Sequence, residues 1–65
     1  MAHGAVDDAA LPVWYQEQCD RVHNLKATMA SLPEGDVRDA LASVVALHQA
    51  RAQVLEDLMK AELAR

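Results

Sequence analysis

The sequence has few of the residues that interrupt helices, and too few cysteines for a disulfide framework. Its 65 residues include two glycines, two prolines, one tryptophan, one tyrosine and no phenylalanine. The single cysteine, Cys19, excludes a disulfide within the chain and is typical of a protein kept in a reducing cytoplasm. The scarcity of glycine and proline, beside abundant alanine, favours helix throughout. We therefore expect an all-α, cytoplasmic protein.

Long apolar runs and excess positive charge are also missing. No run approaches the roughly 20 apolar residues needed to span a bilayer. Residues 1–10 contain two acids and no lysine or arginine, so they do not form a secretory signal. The net charge of −4 disfavours attraction to phosphate backbones and to anionic lipid. We expect neither membrane association nor nucleic-acid binding.

A cluster of proline, glycine and capping residues at 31–36 divides the chain into two helical segments. The spacing of apolar residues predicts helix 1 over about 12–31, with Pro12 tolerated in its first turn. A turn at about 32–36 follows, and Asp36 is predicted to be the N-cap of helix 2 at about 37–63. Residues 1–11 show no periodicity and are predicted to be a flexible leader. Residues 12–65 are thus predicted to form one domain, an antiparallel αα-hairpin of two helices.

The second helix has an apolar face too broad for one neighbouring helix to cover. It fills about half of the helical wheel, whereas packing on one partner needs a stripe only slightly wider than about 100°. A chain of this size also rarely obtains more than about 3–5 kcal/mol from its own core. We therefore expect a homodimeric four-helix bundle, with a foreign protein on the same face as the alternative. The residues predicted at the dimer or partner interface are Val37, Leu41, Val44, His48, Arg51, Leu55, Leu58 and Glu62.

The position of Glu62 within this apolar face suggests how two copies would pair. If two second helices packed antiparallel about residue 50, Arg38 would face Glu62 of the other copy. Such an ion pair would compensate a carboxylate that is costly to bury alone. Alternatively, Glu62 lies close enough to the C-terminus for its side chain to reach water. Parallel and antiparallel pairing both stay open at this stage.

A polar layer interrupts the apolar stripes of both predicted helices. A hairpin that turns near Pro33 sets Gln18 beside His48. One interpretation is a neutral core histidine hydrogen-bonded to Gln18 or to a backbone carbonyl, because buried polar groups are usually paired. The other is a polar layer that fixes register and oligomeric state, as a polar core position does in coiled coils.

Metal binding and catalysis have little support in the sequence. Cys19 and His23 are four residues apart and the hairpin brings Cys19 towards His48, so three zinc ligands are conceivable. His23, however, falls outside the apolar stripe and is predicted to face water. The carboxylates lie on polar faces, and a two-helix chain offers no concave pocket that would shift their pKa values. We expect no metal, no cofactor and no enzymatic activity.

Trp14 and Tyr15 are the only aromatic residues. Because they are adjacent, their side chains diverge by about 100° and cannot reach the same point. One interpretation is that they cap the core at the open end of the hairpin. The other is that one of them stays at the rim as an anchor for a partner, since tryptophan and tyrosine are favoured at binding hot spots.

In length and hairpin architecture the chain resembles the small helical-hairpin regulators that dimerise into four-helix bundles, among them the plasmid RNA-binding protein Rop. Its proportions are also similar to those of secretion-system co-chaperones that hold a subunit through a helical hairpin. The first resemblance implies a nucleic-acid-binding regulator, which would need Arg21, Lys26, Arg38 and Arg51 in one patch, whereas the wheel scatters them. We expect a non-catalytic bacterial or phage regulator or adaptor that binds a protein partner as a hairpin homodimer.

Overall fold

The computed structural model describes residues 9–64 and shows two α-helices joined by a short turn. Helix α1 spans Ala10–Ala30 and α2 spans Asp36–Leu63. The two helices run antiparallel and pack against each other along their length. Within the described residues there is no strand. The predicted all-α class and the helical hairpin are confirmed.

Helix α1 begins earlier than the sequence pattern predicted. Its first residue is Ala10, and Ala9 occupies the N-cap without a side-chain hydrogen bond. Pro12 is the third helical residue, where the missing N–H costs nothing because first-turn N–H groups have no partner within the helix. Leu11, assigned by the sequence to a flexible leader, is helical and only 4% exposed. The rest of that predicted leader, residues 1–8, lies outside the described residues.

The turn closes α1 with local hydrogen bonds. The N–H of Ser31 donates to the carbonyl of Thr28 at 3.1 Å, and the N–H of Leu32 donates to the carbonyl of Met29 at 3.0 Å. The hydroxyl of Ser31 also donates to the Thr28 carbonyl, at 2.7 Å. These bonds satisfy carbonyl groups that the end of a helix otherwise leaves without partners.

Gly35, and not Asp36, is the N-cap of α2, which corrects the prediction. Gly35 has φ 154° and ψ −171°, a backbone conformation that residues other than glycine rarely adopt. Its carbonyl accepts the first helical hydrogen bond, from the N–H of Asp39 at 3.0 Å. The chain therefore enters the helix one residue earlier than predicted. Asp36 and Asp39 still lie in the first turn, where their charges complement the helix dipole.

The interior between the helices is thin. Among the described side chains only Leu11 and Val45 are buried, at 4% and 6% exposure, and none is fully enclosed. The other residues at the contact are half-buried, including Leu25, Met29 and Met59. Hydrophobic stabilisation scales with the apolar area removed from water, so this hairpin alone gains little from its core.

Neither of the two described helices combines the length and the hydropathy that crossing a membrane would require.

Candidate interaction face on α2

A row of exposed side chains follows one flank of α2 with the spacing of a coiled-coil seam. Two columns, each repeating every seven residues, alternate at intervals of three and four positions. This is the a and d pattern through which two helices stay in contact over many turns. The row extends for about 36 Å at 1.5 Å per residue. We call it the α2 seam; its members are Val37, Val44, Arg51 and Leu58 in one column and Ala40, Leu47, Val54 and Ala61 in the other.

The α2 seam leaves large apolar groups in water. Val37 is 66% exposed, Val54 59%, Leu47 49% and Leu58 47%, whereas Val45 on the side facing α1 is 6% exposed. Single exposed apolar residues are normal on a protein surface. A contiguous apolar row is less usual and makes this flank of α2 a candidate interaction site.

The residues predicted at the interface fall into two columns with different surroundings. Val37, Val44, Arg51 and Leu58 are exposed members of the α2 seam. The second column is half-buried between the seam and α1, and consists of Leu41, His48, Leu55 and Glu62. The other seam column was not among the predicted interface residues. The seven-residue recurrence was the signal that would have found it.

Gln18 and His48 meet between the two helices, as the hairpin register predicted. The side-chain oxygen Oε1 of Gln18 lies 2.7 Å from Nδ1 of His48, and both residues are half-buried. An amide oxygen only accepts hydrogen bonds, so Nδ1 carries the proton and donates it. In the neutral ring Nε2 is then an acceptor. The contact lies beside Leu55 and therefore adjoins the α2 seam.

Trp14 and Tyr15 lie on different sides of the hairpin. Trp14 is 42% exposed, so it does not close the core. It lines a shallow groove with Gln18 on α1 and with Arg51, Val54 and Leu55 on α2. Trp14 thus extends the α2 seam onto α1, which is where a rim anchor would lie.

Tyr15 lines a second shallow groove on the opposite side of the hairpin, together with Cys19, Val22, Gln53 and Glu56 among others. The hydrogen bond between its hydroxyl and the Cys19 side chain, followed by the negative charges that Cys19 and Glu56 carry when ionised, raises the pKa of Tyr15 above its ordinary value of 10.

The three zinc ligands considered from the sequence are not brought together. Cys19 lines the Tyr15 groove, His48 contacts Gln18, and His23 is exposed. Across residues 9–64 no group of three or more histidine, cysteine, aspartate or glutamate side chains is arranged to hold a metal ion.

Arg38 and Glu62 lie on different faces of α2. They are about 120° apart around the helix. Arg38 lines a cavity at the interhelical turn with Glu34 and Asp39, whereas Glu62 lies at the open end beside Leu11. A single helix contact would not use both residues, so the ion pair considered from the sequence loses its geometric basis. The basic residues are likewise separated, with Arg38 at the turn and Arg51 beside Trp14.

No protein-family model, curated protein or solved structure matches this chain.

Proposed function

We propose that the protein is a small non-catalytic binding protein whose working form is a homodimer of helical hairpins joined through the α2 seam. One observation carries the proposal: an exposed apolar row with seven-residue spacing on a hairpin that buries only two of its described side chains. The exposed row provides a surface for an interface, and the small number of buried side chains is the reason why the hairpin would need one.

The need arises from the thin interior. Folding must offset the conformational entropy of every ordered residue, about 1–2 kcal/mol for the backbone alone. A single layer of half-buried side chains between two helices contributes too little apolar burial to do so comfortably. Covering Val37, Leu47, Val54 and Leu58 with a second hairpin would add the missing area.

A second copy is the occupant that the seam pattern favours. Because the seven-residue repeat runs through most of α2, it complements another helix with the same repeat. In a two-fold dimer the same surface patch of each copy covers that of the other, and this is the commonest symmetry of homo-oligomers. The result would be a four-helix bundle with α2 at its centre.

Dimerisation through α2 would leave two surfaces for a protein partner. The Tyr15 groove lies on the opposite side from the seam and stays open. Trp14 would lie at the edge of the dimer interface, with Arg51 nearby. Tryptophan is enriched among the residues that dominate binding energy, so this edge is the stronger candidate for the partner site.

The test is the solution mass of the whole chain over a wide concentration range, measured by sedimentation equilibrium with helicity followed in parallel. Val54→Lys places a charge in the seam. Val13→Lys is its matched control, because Val13 and Val54 are 58% and 59% exposed. Val13 also lies about 160° around α1 from the buried Leu11 and so faces away from α2.

We expect a helical dimer for the wild type and a dissociation constant at least about tenfold higher for Val54→Lys, equivalent to about 1.4 kcal/mol. Val13→Lys should leave the constant unchanged. A wild type that stays monomeric and weakly helical at every concentration would overturn the homodimer and leave the seam to a foreign partner. Equal effects of the two lysine variants would show that dimerisation does not use the seam.

A further inference from the structure

We infer that the two α2 helices pair antiparallel, in the register that places Val44 opposite Val54 of the second copy. The inference rests on the proposed dimer and names its geometry. It comes from where charged residues lie in and beside the α2 seam, and from the order of large and small side chains along it.

Arg51 is the first reason. It is the only charged member of the α2 seam and lies near the middle of it. Parallel helices in register place each a position against the same residue of the partner. Arg51 would then face Arg51 of the second copy in the same layer of the seam, where the two like charges lie close together and repel each other. In the antiparallel arrangement a faces d, so Arg51 faces the apolar Leu47 of the second copy.

The flanking residues give a second, independent reason. In a parallel pair, the residue before an a position lies beside the residue five places later in the other chain. This brings Asp57 next to Glu62 of the second copy, and the symmetry repeats the like-charge contact. The antiparallel register instead sets Asp57 near Ser43 of the second copy. It also sets Leu41 near Leu55 of the second copy, so an apolar contact continues the seam.

Side-chain size gives a third reason. In the antiparallel register Val37 meets Ala61, Leu58 meets Ala40 and Val44 meets Val54, so a small or medium side chain is present in every layer except that of Arg51 and Leu47. In a parallel pair the alanines would face alanines and Leu58 would face Leu58. Interiors are packed to nearly uniform density, and such alternation of voids and crowded layers is unfavourable.

Arg51 remains compatible with the antiparallel seam because its aliphatic part can cover apolar surface while the guanidinium reaches water. It is exposed and lines the open groove beside Trp14. The two-fold axis places the two Arg51 residues on opposite sides of the centre, each against Leu47 of the other copy.

Disulfide trapping tests the orientation. Two variants carry Val44→Cys and Val54→Cys respectively, each with Cys19→Ser, and one is isotopically heavy so that the products differ in mass. They are mixed in equal amounts in a glutathione redox buffer and the disulfide-linked dimers are measured by mass spectrometry. A disulfide needs Cα atoms about 4.4–6.8 Å apart, so only facing positions are trapped.

We expect the mixed disulfide far above the share given by random pairing. A second pair, Val37→Cys with Ala61→Cys, should behave in the same way and guards against a variant that does not fold. The control pair, Val13→Cys with Val54→Cys, should show no preference. Predominant disulfides between identical variants would mean parallel pairing and would overturn the inference.

The masses of the reduced variants separate the two proposals. Reduced dimers that yield disulfides between identical variants would contradict only the orientation. Reduced chains that are monomeric, like a monomeric wild type, would contradict the homodimer itself and the orientation with it.

Discussion

Gln18 of α1 and His48 of α2 are 30 residues apart in the chain, and their side chains form a 2.7 Å hydrogen bond. The bond joins the two helices at a half-buried point beside the α2 seam. It fixes how far one helix is shifted along the other, because neither side chain finds the same partner after a slip by one turn.

The first prediction concerns this pair. We expect Gln18→Ala and His48→Ala each to destabilise the hairpin, and the double variant to lose less than the sum. The coupling should be about 0.5–1.5 kcal/mol, the usual net contribution of one hydrogen bond. Urea unfolding at one fixed protein concentration measures it. Strictly additive losses would show that the contact contributes nothing to stability.

The second prediction concerns the two leucines at the open end. Leu11 is 4% exposed and Leu63 is 87% exposed. Leu11→Ala should lower the free energy of unfolding by about 2 kcal/mol or more, because it removes one of the few buried side chains. Leu63→Ala, the matched control, should change it by no more than about 0.5 kcal/mol. Equal effects would contradict the placement of Leu11 in the core.

The third prediction concerns the charge in the α2 seam. Arg51→Leu should lower the dissociation constant of the dimer by at least about tenfold, because a polar residue at a seam position gives specificity at a cost in stability. The same substitution should weaken the preference for mixed disulfides in the trapping experiment. Arg21→Leu, on the exposed surface of α1, is the control and should do neither.

The fourth prediction concerns the backbone at Gly35. A Cβ there would meet nothing within 4 Å, so space is available, but φ is +154°. Gly35→Ala should therefore destabilise the chain by about 1–3 kcal/mol through backbone strain alone. The chain is short enough for chemical synthesis, which allows D-alanine at the same position. D-alanine favours this conformation and should stabilise by about 0.4–1 kcal/mol, by restricting the unfolded state.

The fifth prediction concerns Tyr15, the only tyrosine, whose ionisation can be followed by near-ultraviolet absorbance. Its pKa should lie above 10, and Cys19→Ala should lower it more than Glu56→Gln does, because the hydrogen bond to Cys19 is the larger cause. The folded state then holds the phenolic proton more tightly than the unfolded state. The stabilisation of the phenol should be fully present near neutrality and should be lost as the pH rises through 10 towards the pKa of the folded state. A pKa unmoved by Cys19→Ala would contradict the contact.

Features that depend on the periodicity of apolar residues were predicted correctly from the sequence. Helix boundaries that depend on the conformation of a single residue were not. The two helices and the approach of Gln18 to His48 follow from apolar spacing and the position of the turn. The start of α1 was wrong because Pro12 suggests a helix beginning, whereas a first turn accepts proline at any of its early positions. The N-cap of α2 was wrong because Gly35 supplies the conformation without a capping side chain.

The sequence analysis named only one of the two columns of the α2 seam, because a helical wheel does not show how α1 divides the apolar face. A wheel drawn at 3.6 residues per turn shows a broad apolar arc but not which of its members α1 covers. The structure separates that arc into a half-buried column that includes Leu41 and Leu55, and an exposed seam that includes Leu47 and Val54. Counting at intervals of seven would have revealed the seam, since this is the repeat of paired helices.

If a second copy covers the α2 seam as proposed, the thin interior of the hairpin makes the stability of the fold depend on the concentration of the protein. When most of the apolar cover comes from a second copy, folding and assembly are one equilibrium, and the melting temperature rises with protein concentration. At levels below the dissociation constant, chains would spend much of their time unfolded and open to proteolysis. The cellular lifetime of the protein would then increase with its rate of synthesis, so that the chain accumulates only above a threshold of expression.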